Sequence, residues 1–261
     1  FEMLIINLMY LLTYHKLTSG LSALQCTLVE CRRLFKSSRW LFLSGVGAVI
    51  YLKVDQVMLS YIVGDYEVGI YAAAARLSEV WYFIPLAIVT AFFPQLVADE
   101  KLDGRQYQRS LQKLNDLLFV LALSIAVLAS FFSHDVILWI YGSEYKASGV
   151  ILMVHIWAAV PVFMRALLSK WFITENLLRL SLLSQSLGAA VNVVLNAFLI
   201  PHYGGLGAAY ATVVSYVFSG YVILFMHKSL WPMLFIITQS MLLPFRAFRY
   251  ATSSIPPKTL R

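Results

Sequence analysis

Lys53, Asp55, Arg76 and Glu79 lie in two consecutive stretches of sequence that are otherwise apolar. An ionised side chain at the centre of a bilayer costs about 2.5–3.5 kcal/mol on insertion scales. Four of them in adjacent segments therefore need partners, water or a cavity. Arg76 and Glu79 are three residues apart and share a helix face, which Ala72 and Phe83 continue. Lys53 and Asp55 are two apart, roughly 200° around a helix, and do not both point directly at one cavity. Two chemistries are open. Opposite charges can pair between helices, as Asp55 with Arg76 or Lys53 with Glu79. Alternatively, both signs line a water-filled translocation cavity. The readings are compatible, because a pair can border a cavity and still hold helices together. The clustering in two consecutive segments favours the cavity.

Further polar groups lie downstream. Arg165 adds a positive charge to a later apolar stretch, where its long stem also lets the head reach the aqueous side. Ser181, Gln185, Gly188, Asn192 and Asn196 recur every three or four residues. In hydrocarbon such groups must face protein or water, so the stripe is either helix–helix adhesive or part of a polar passage. Ala211, Ser215 and Ser219 form a small-residue row that predicts close helix packing. Pro85, Pro94 and Pro161 each remove a main-chain donor and predict kinks. The five histidines, His15, His134, His155, His202 and His227, are dispersed. Only His155 falls in a span, where a hydrogen-bonded histidine is the expectation rather than a metal ligand. Cys26 and Cys31 match no zinc or redox spacing. No phosphate-binding loop, HExxH, DxD or nucleophile elbow is present. The reading is therefore of a non-enzyme with no cofactor and no metal, driven by a proton or sodium gradient or by the membrane potential.

The elements that must position these groups follow from composition. The chain of 261 residues is 60% hydrophobic and 13% charged, against about 25% charged in an average soluble domain. Disordered and collagen-like classes are excluded, as is almost any soluble enzyme, and an all-α integral membrane protein is left. Six complete spans of roughly 20 apolar residues are predicted: Trp40–Val63, Val68–Val97, Leu114–Ser133, Gly149–Ile173, Leu180–Ile200 and Leu206–Met226. Residues 1–14 read as the tail of a preceding membrane helix, and the sequence as a fragment. Residues 15–39 read as a basic cytoplasmic linker, 40–227 as a six-helix lobe, and 228–261 as an interfacial helix and cytoplasmic tail. Within that last part Trp231–Phe245 is short for a span, so a helix in the inner interface is preferred over a seventh crossing.

The net charge of +7 raises nucleic-acid binding, which the charge distribution argues against. With the 15–39 linker inside, sixteen basic residues fall on cytoplasmic segments and only Lys146 on an external loop. Three more, Lys53, Arg76 and Arg165, lie within spans. Basic loops resist translocation, so the C-terminus is expected in the cytoplasm.

Particular residues carry a resemblance. Lys53-Val54-Asp55-Gln56-Val57-Met58-Leu59, Gly64, and Val68 through Glu79 come first. Ile84-Pro85, Phe93-Pro94 and Ile140 through Tyr145 follow, and then Asn192 through Ala209. In this order and spacing they resemble the bacterial O-antigen and capsule flippases of the multidrug/oligosaccharidyl-lipid/polysaccharide exporter superfamily, over about Trp40–Lys228. The resemblance implies two six-helix lobes around a central cavity that opens alternately to either side. This chain would be the C-terminal lobe, partnered by an absent N-terminal lobe of the same protein.

The implied location is the bacterial inner membrane, among membrane lipids and glycan-assembly proteins. The implied substrate is a polyprenyl-pyrophosphate-linked oligosaccharide. On this implication Lys53, Arg76 or Arg165 would offset phosphate charge. Gln185, Asn192 and Asn196 would hydrogen-bond sugar, and Asp55 or Glu79 would bind the coupling proton or sodium ion. Alternatives are a lipid II or multidrug exporter of the same superfamily, a membrane glycosyltransferase or polymerase, and a purely structural subunit. The enzyme reading sits poorly with the short external loop around Ser133–Ser148, whose acids are Asp135 and Glu144.

Overall fold

Two of the predicted proline kinks explain how the helices are divided. A proline inside a helix lacks the N–H that would bond residue i−4, and its ring crowds that residue's carbonyl. For Pro85 and Pro161 those residues are Trp81 and Trp157. Each lies in a short 3₁₀ turn, Val80–Tyr82 and Ile156–Ala158. The tighter winding relieves the clash without ending the helical path. Pro94 lies inside its helix with no such break.

The computed structural model describes residues 2–17, 28, 30, 32, 53–102 and 104–243, and every regular element among them is helical. They are α1 (Glu2–Leu17), α2 (53–63), α3 (Asp65–Glu79), α4 (Phe83–Leu102), α5 (Gly104–Tyr141), α6 (Ser148–His155), α7 (Ala159–Thr174), α8 (Leu178–Gly220) and α9 (Trp231–Met241). The chain separates into two units, 1–52 and 53–261. In the first, α1 is an apolar helix on which the Thr13 hydroxyl donates to the Met9 carbonyl at 2.8 Å. The basic linker with Cys26 and Cys31, the 40–52 part of the first predicted span, and the tail from 244 lie outside the described residues.

Among the described residues, four helical stretches are long and apolar enough to cross a membrane: Asp65–Glu100, Gly104–Tyr141, Ser148–Thr174 and Leu178–Met226. The first three coincide with the second, third and fourth predicted spans. The fifth and sixth predicted spans share the last stretch, which is 49 residues long. Continuous helix runs through Pro201 to a single break at Gly204, whose φ of 53° and ψ of −133° are non-helical. The loop expected between these spans is thus one residue.

Two apolar clusters fill the second unit. One joins α4, α5, α7 and α9 through Val89, Leu118, Phe163, Phe172 and Ile237. The other joins α2, α3, α6 and α8 through Leu59, Tyr71, Ile151, Ile200 and Ala208. Ile125 on α5 packs against both. The last helix, α9, turns Met233, Ile236 and Ile237 inward. Its Ser240 hydroxyl donates to Asp116 Oδ1 on α5 at 2.6 Å and accepts from Asn115 Nδ2 at 2.8 Å. The described helix is 11 residues, roughly 16 Å at 1.5 Å per residue, and it docks one face on α5.

Gly188 lets the two halves of α8 approach closely. A Cβ at that position would stand 2.6 Å from the Ser219 Cβ. Gly204 is required by its backbone, and a Cβ there would also meet Glu67 Oε2 at 2.8 Å. Gly188→Leu is expected to destabilise the lobe by about 1–3 kcal/mol through overpacking. Gly204→Ala is expected to cost about 1–3 kcal/mol through backbone strain. Both should lower the unfolding temperature of detergent-purified protein, and unchanged unfolding would contradict the close approach.

Candidate functional site

The α2–α3 turn at Gly64 folds the two charged stretches against each other, with the Ser60 hydroxyl donating to Asp65 Oδ1 at 2.6 Å. On α2 the two-residue spacing separates Lys53, which is exposed, from Asp55, which is 6% exposed. The Tyr71 hydroxyl on α3 donates to Asp55 Oδ2, and the Gln56 main-chain N–H donates to Oδ1 at 2.9 Å. Tyr71 Oη also lies 3.5 Å from Thr212 Oγ1 on α8, and the Thr212 hydroxyl donates to the Ala208 carbonyl at 3.0 Å. The edge of the Tyr71 ring meets His155 of α6, with centroids 5.7 Å apart. Asp55 is therefore buried beneath Tyr71, which itself meets α6 and α8. The donors to it are a phenol and a main-chain amide rather than a cation.

Of the two ion pairs considered from sequence, Lys53–Glu79 forms, with Nζ 3.7 Å from Oε2. Its side chains are 49% and 31% exposed, so solvent screening leaves it worth less than about 1 kcal/mol. The Asp55–Arg76 pairing is replaced by the Asp55–Tyr71 hydrogen bond. Arg76 is exposed on α3, one turn from the half-buried Glu79. Lys53, Arg76 and Glu79 thus share the outside of the α2–α3 hairpin, and Asp55 stands on its inside.

The polar stripe on α8 is buried within the lobe. Asn196 Nδ2 donates to Asn192 Oδ1 at 3.0 Å, and Asn192 Nδ2 donates to Ser215 Oγ at 3.3 Å. The Ser215 hydroxyl donates to the Thr212 carbonyl at 2.9 Å, joining this chain to the Tyr71 cluster. Further along, Ser184 Oγ donates to the Ser219 carbonyl at 2.7 Å. Arg165 Nη1 on α7 donates to Ser184 Oγ at 2.5 Å and to the Ser219 carbonyl at 2.7 Å. Gln185 is half-buried beside the seam. A ladder of hydrogen bonds therefore closes the first half of α8 onto the second, with α7 fastened by its arginine. Among the described residues, no group of three His, Cys, Asp or Glu side chains could hold a metal ion.

Tyr71, Thr212 and Ser184 belong to this seam and were not expected from the sequence. Ser184 had a readable signal, because it continues the four-residue row of Gly188, Asn192 and Asn196. Tyr71 had none, since its contact with Asp55 depends on how two helices pack.

Long apolar helices joined by a buried polar seam define a multi-pass membrane protein. Residues 2–150 match the model of a family described as polysaccharide biosynthesis protein. That is more than half of the chain, and the chain belongs to this family. It is 22% identical over 205 residues to a probable low-salt glycan biosynthesis flippase of Haloferax volcanii, covering 76% of this chain and 43% of that one. It is 28% identical over 186 residues to a probable flippase, AglR, of the same organism, covering 70% and 39%. A Shigella flexneri protein named as an O-antigen transporter is 28% identical over 182 residues, covering 68% and 42%. These relatives are named as carriers and flippases, not as enzymes, and the chain spans less than half of their length. No solved structure matches it.

Tyr71→Phe removes the side-chain donor to a buried carboxylate and is expected to cost about 1–3 kcal/mol. In denaturation measurements with Asp55→Asn and the double variant, the two effects should be strongly non-additive. Fully additive effects would show that the pair does not interact.

Proposed function

We propose that this chain is the C-terminal, six-span lobe of a flippase. Its cargo is a polyprenyl-pyrophosphate-linked oligosaccharide for O-antigen, capsule or exopolysaccharide synthesis, carried outward across the bacterial inner membrane by alternating access. The observation that carries the reading is the sidedness of the α2–α3 hairpin. Lys53, Arg76 and Glu79 stand on its outer surface, although the surrounding sequence is built for hydrocarbon. Charges on such a surface are costly against lipid and suit a wet passage shared with a second lobe. The match to less than half of each relative's length supports a missing N-terminal lobe. The break at Gly204 supports counting α8 as two spans, and the basic-residue asymmetry supports a cytoplasmic C-terminus.

Within this scheme Arg76, with Lys53 beside it, meets the phosphates of the cargo by charge-assisted hydrogen bonds. Gln185, half-buried, is the stripe residue best placed to reach glycan. Arg165, Asn192 and Asn196 are engaged inside the lobe and hold its shape. Asp55 is a better coupling acid than Glu79, because Glu79 already has Lys53 while Asp55 is buried with no ion-pair partner among the described residues. Uptake of a proton or sodium ion at Asp55 would neutralise the carboxylate. The energy comes from an ion gradient or the membrane potential, and no bond of the cargo is broken.

Arg76→Ala in the full-length parent is expected to lower surface-glycan export about tenfold or more at normal protein level, the loss of one strong charge-assisted contact. Wild-type export by the stably expressed variant would remove Arg76 from the passage. Asp55→Asn should abolish the response of transport to an imposed proton or sodium gradient, and Glu79→Gln should retain it. The reverse pattern would reassign the coupling acid.

A further inference from the structure

On the outside of the lobe, α4 and α5 diverge from their junction at 102–104 and leave a cavity of about 270 Å³ between them. Its lining changes character along the helix axes. Toward the junction it is polar, with Gln95 on α4 and Gln106, Ser110 and Lys113 on α5. Away from the junction it is walled by Phe92 and Leu117, both close to half exposed. Leu96 and Leu114, almost fully buried, form the floor.

The polar end lies where the long helices leave their apolar stretches, and the apolar end lies within them. That is the gradient a lipid molecule meets between headgroup and acyl chain. The charged lining residue is Lys113, which is exposed. Asp99 is turned to Ser110, whose Oγ donates to its Oδ2 at 2.6 Å, and it is not among the lining residues. Within the lining, Lys113 is the one charged group, and Gln95 and Gln106 add amide donors. Lys170 Nζ lies 5.2 Å from the ring centroid of Phe93, the neighbour of Phe92 on α4.

We propose that this groove is a binding site for a glycerophospholipid of the surrounding leaflet. Its phosphate meets Lys113 between the two glutamines, and one acyl chain lies along Phe92 and Leu117. The site is separate from the hairpin charges assigned to the cargo, and it depends on membrane placement rather than on the transport reading. A lipid wedged here would set the spacing of α4 and α5 at one membrane face.

The test is native mass spectrometry of the purified full-length protein, titrated with phosphatidylglycerol and with a diacylglycerol of the same acyl chains. The wild type is expected to retain one phosphatidylglycerol in preference to diacylglycerol. Lys113→Gln should reduce that preference about fivefold, the effect of one lysine at a lipid phosphate. Lys113→Arg should keep it, and Lys146→Gln, at the opposite helix ends, should leave it unchanged. Leu117→Asn should weaken retention of both lipids. Equal retention of the two lipids by the wild type, or an unaltered preference in Lys113→Gln, would overturn the proposal. So would displacement by one equivalent of polyprenyl phosphate, which would give the groove to the cargo instead. Inorganic phosphate competing as well as the lipid would reduce it to a simple anion contact.

Discussion

Inside an apolar lobe, a polar group has no water to turn to, and a partner within the fold is worth more than it is in water. The region around Asp55 is organised by that constraint. The carboxylate is buried and receives hydrogen bonds from Tyr71 and the Gln56 amide. Tyr71 is fully buried in the same cluster that holds Leu59, Ile151 and Ala208. The packing of α2 on α3 and of both on α8 is therefore specified by a polar contact as well as by apolar area. Because hydrophobic attraction between helices is weak in lipid, such contacts carry a larger share of specificity than they do in water.

The seam in α8 obeys the same rule. Asn196 bonds Asn192, Asn192 bonds Ser215 and Ser184 bonds the Ser219 carbonyl, across a contact narrow enough to require Gly188. Arg165 joins by spending its guanidinium on the Ser219 carbonyl and Ser184. Asn192, in the row that composition offers as either adhesive or ligand, bonds across to Ser215 in the second half of the same broken helix. Outside this system, on the other side of the α2–α3 hairpin, Lys53 pairs with Glu79 and Arg76 is exposed.

Much of this was legible in the sequence, and the limits have physical causes. Low charge and long apolar runs specified a helical membrane protein. The opposite placement of Lys53 and Asp55 followed from helix geometry, and the Lys53–Glu79 pair was one of two considered. The choice between Asp55–Arg76 and Asp55–Tyr71 was not readable, because it depends on the rotation of α3 against α2 and no local spacing encodes that. The stripe was found but threaded through Gln185 instead of Ser184, since both fit a three-or-four-residue period. The predicted fifth and sixth spans are separated in sequence by Pro201-His202-Tyr203-Gly204-Gly205. In space, one glycine with positive φ makes the whole turn and leaves helix on either side.

That glycine turn has a mechanical meaning. The Gly205 main-chain N–H, just past the break, donates to Glu67 Oε2 on α3 at 3.1 Å. A slip of α3 by even one residue along its axis, about 1.5 Å, would take this bond out of range unless the descending arm of α8 travelled with it. The carboxylate acts as a tie rod between the two, anchored at the head of one and the shoulder of the other. Glu67 thus couples the start of α3 to the second half of α8, which the Gly188 contact in turn fastens to the first half.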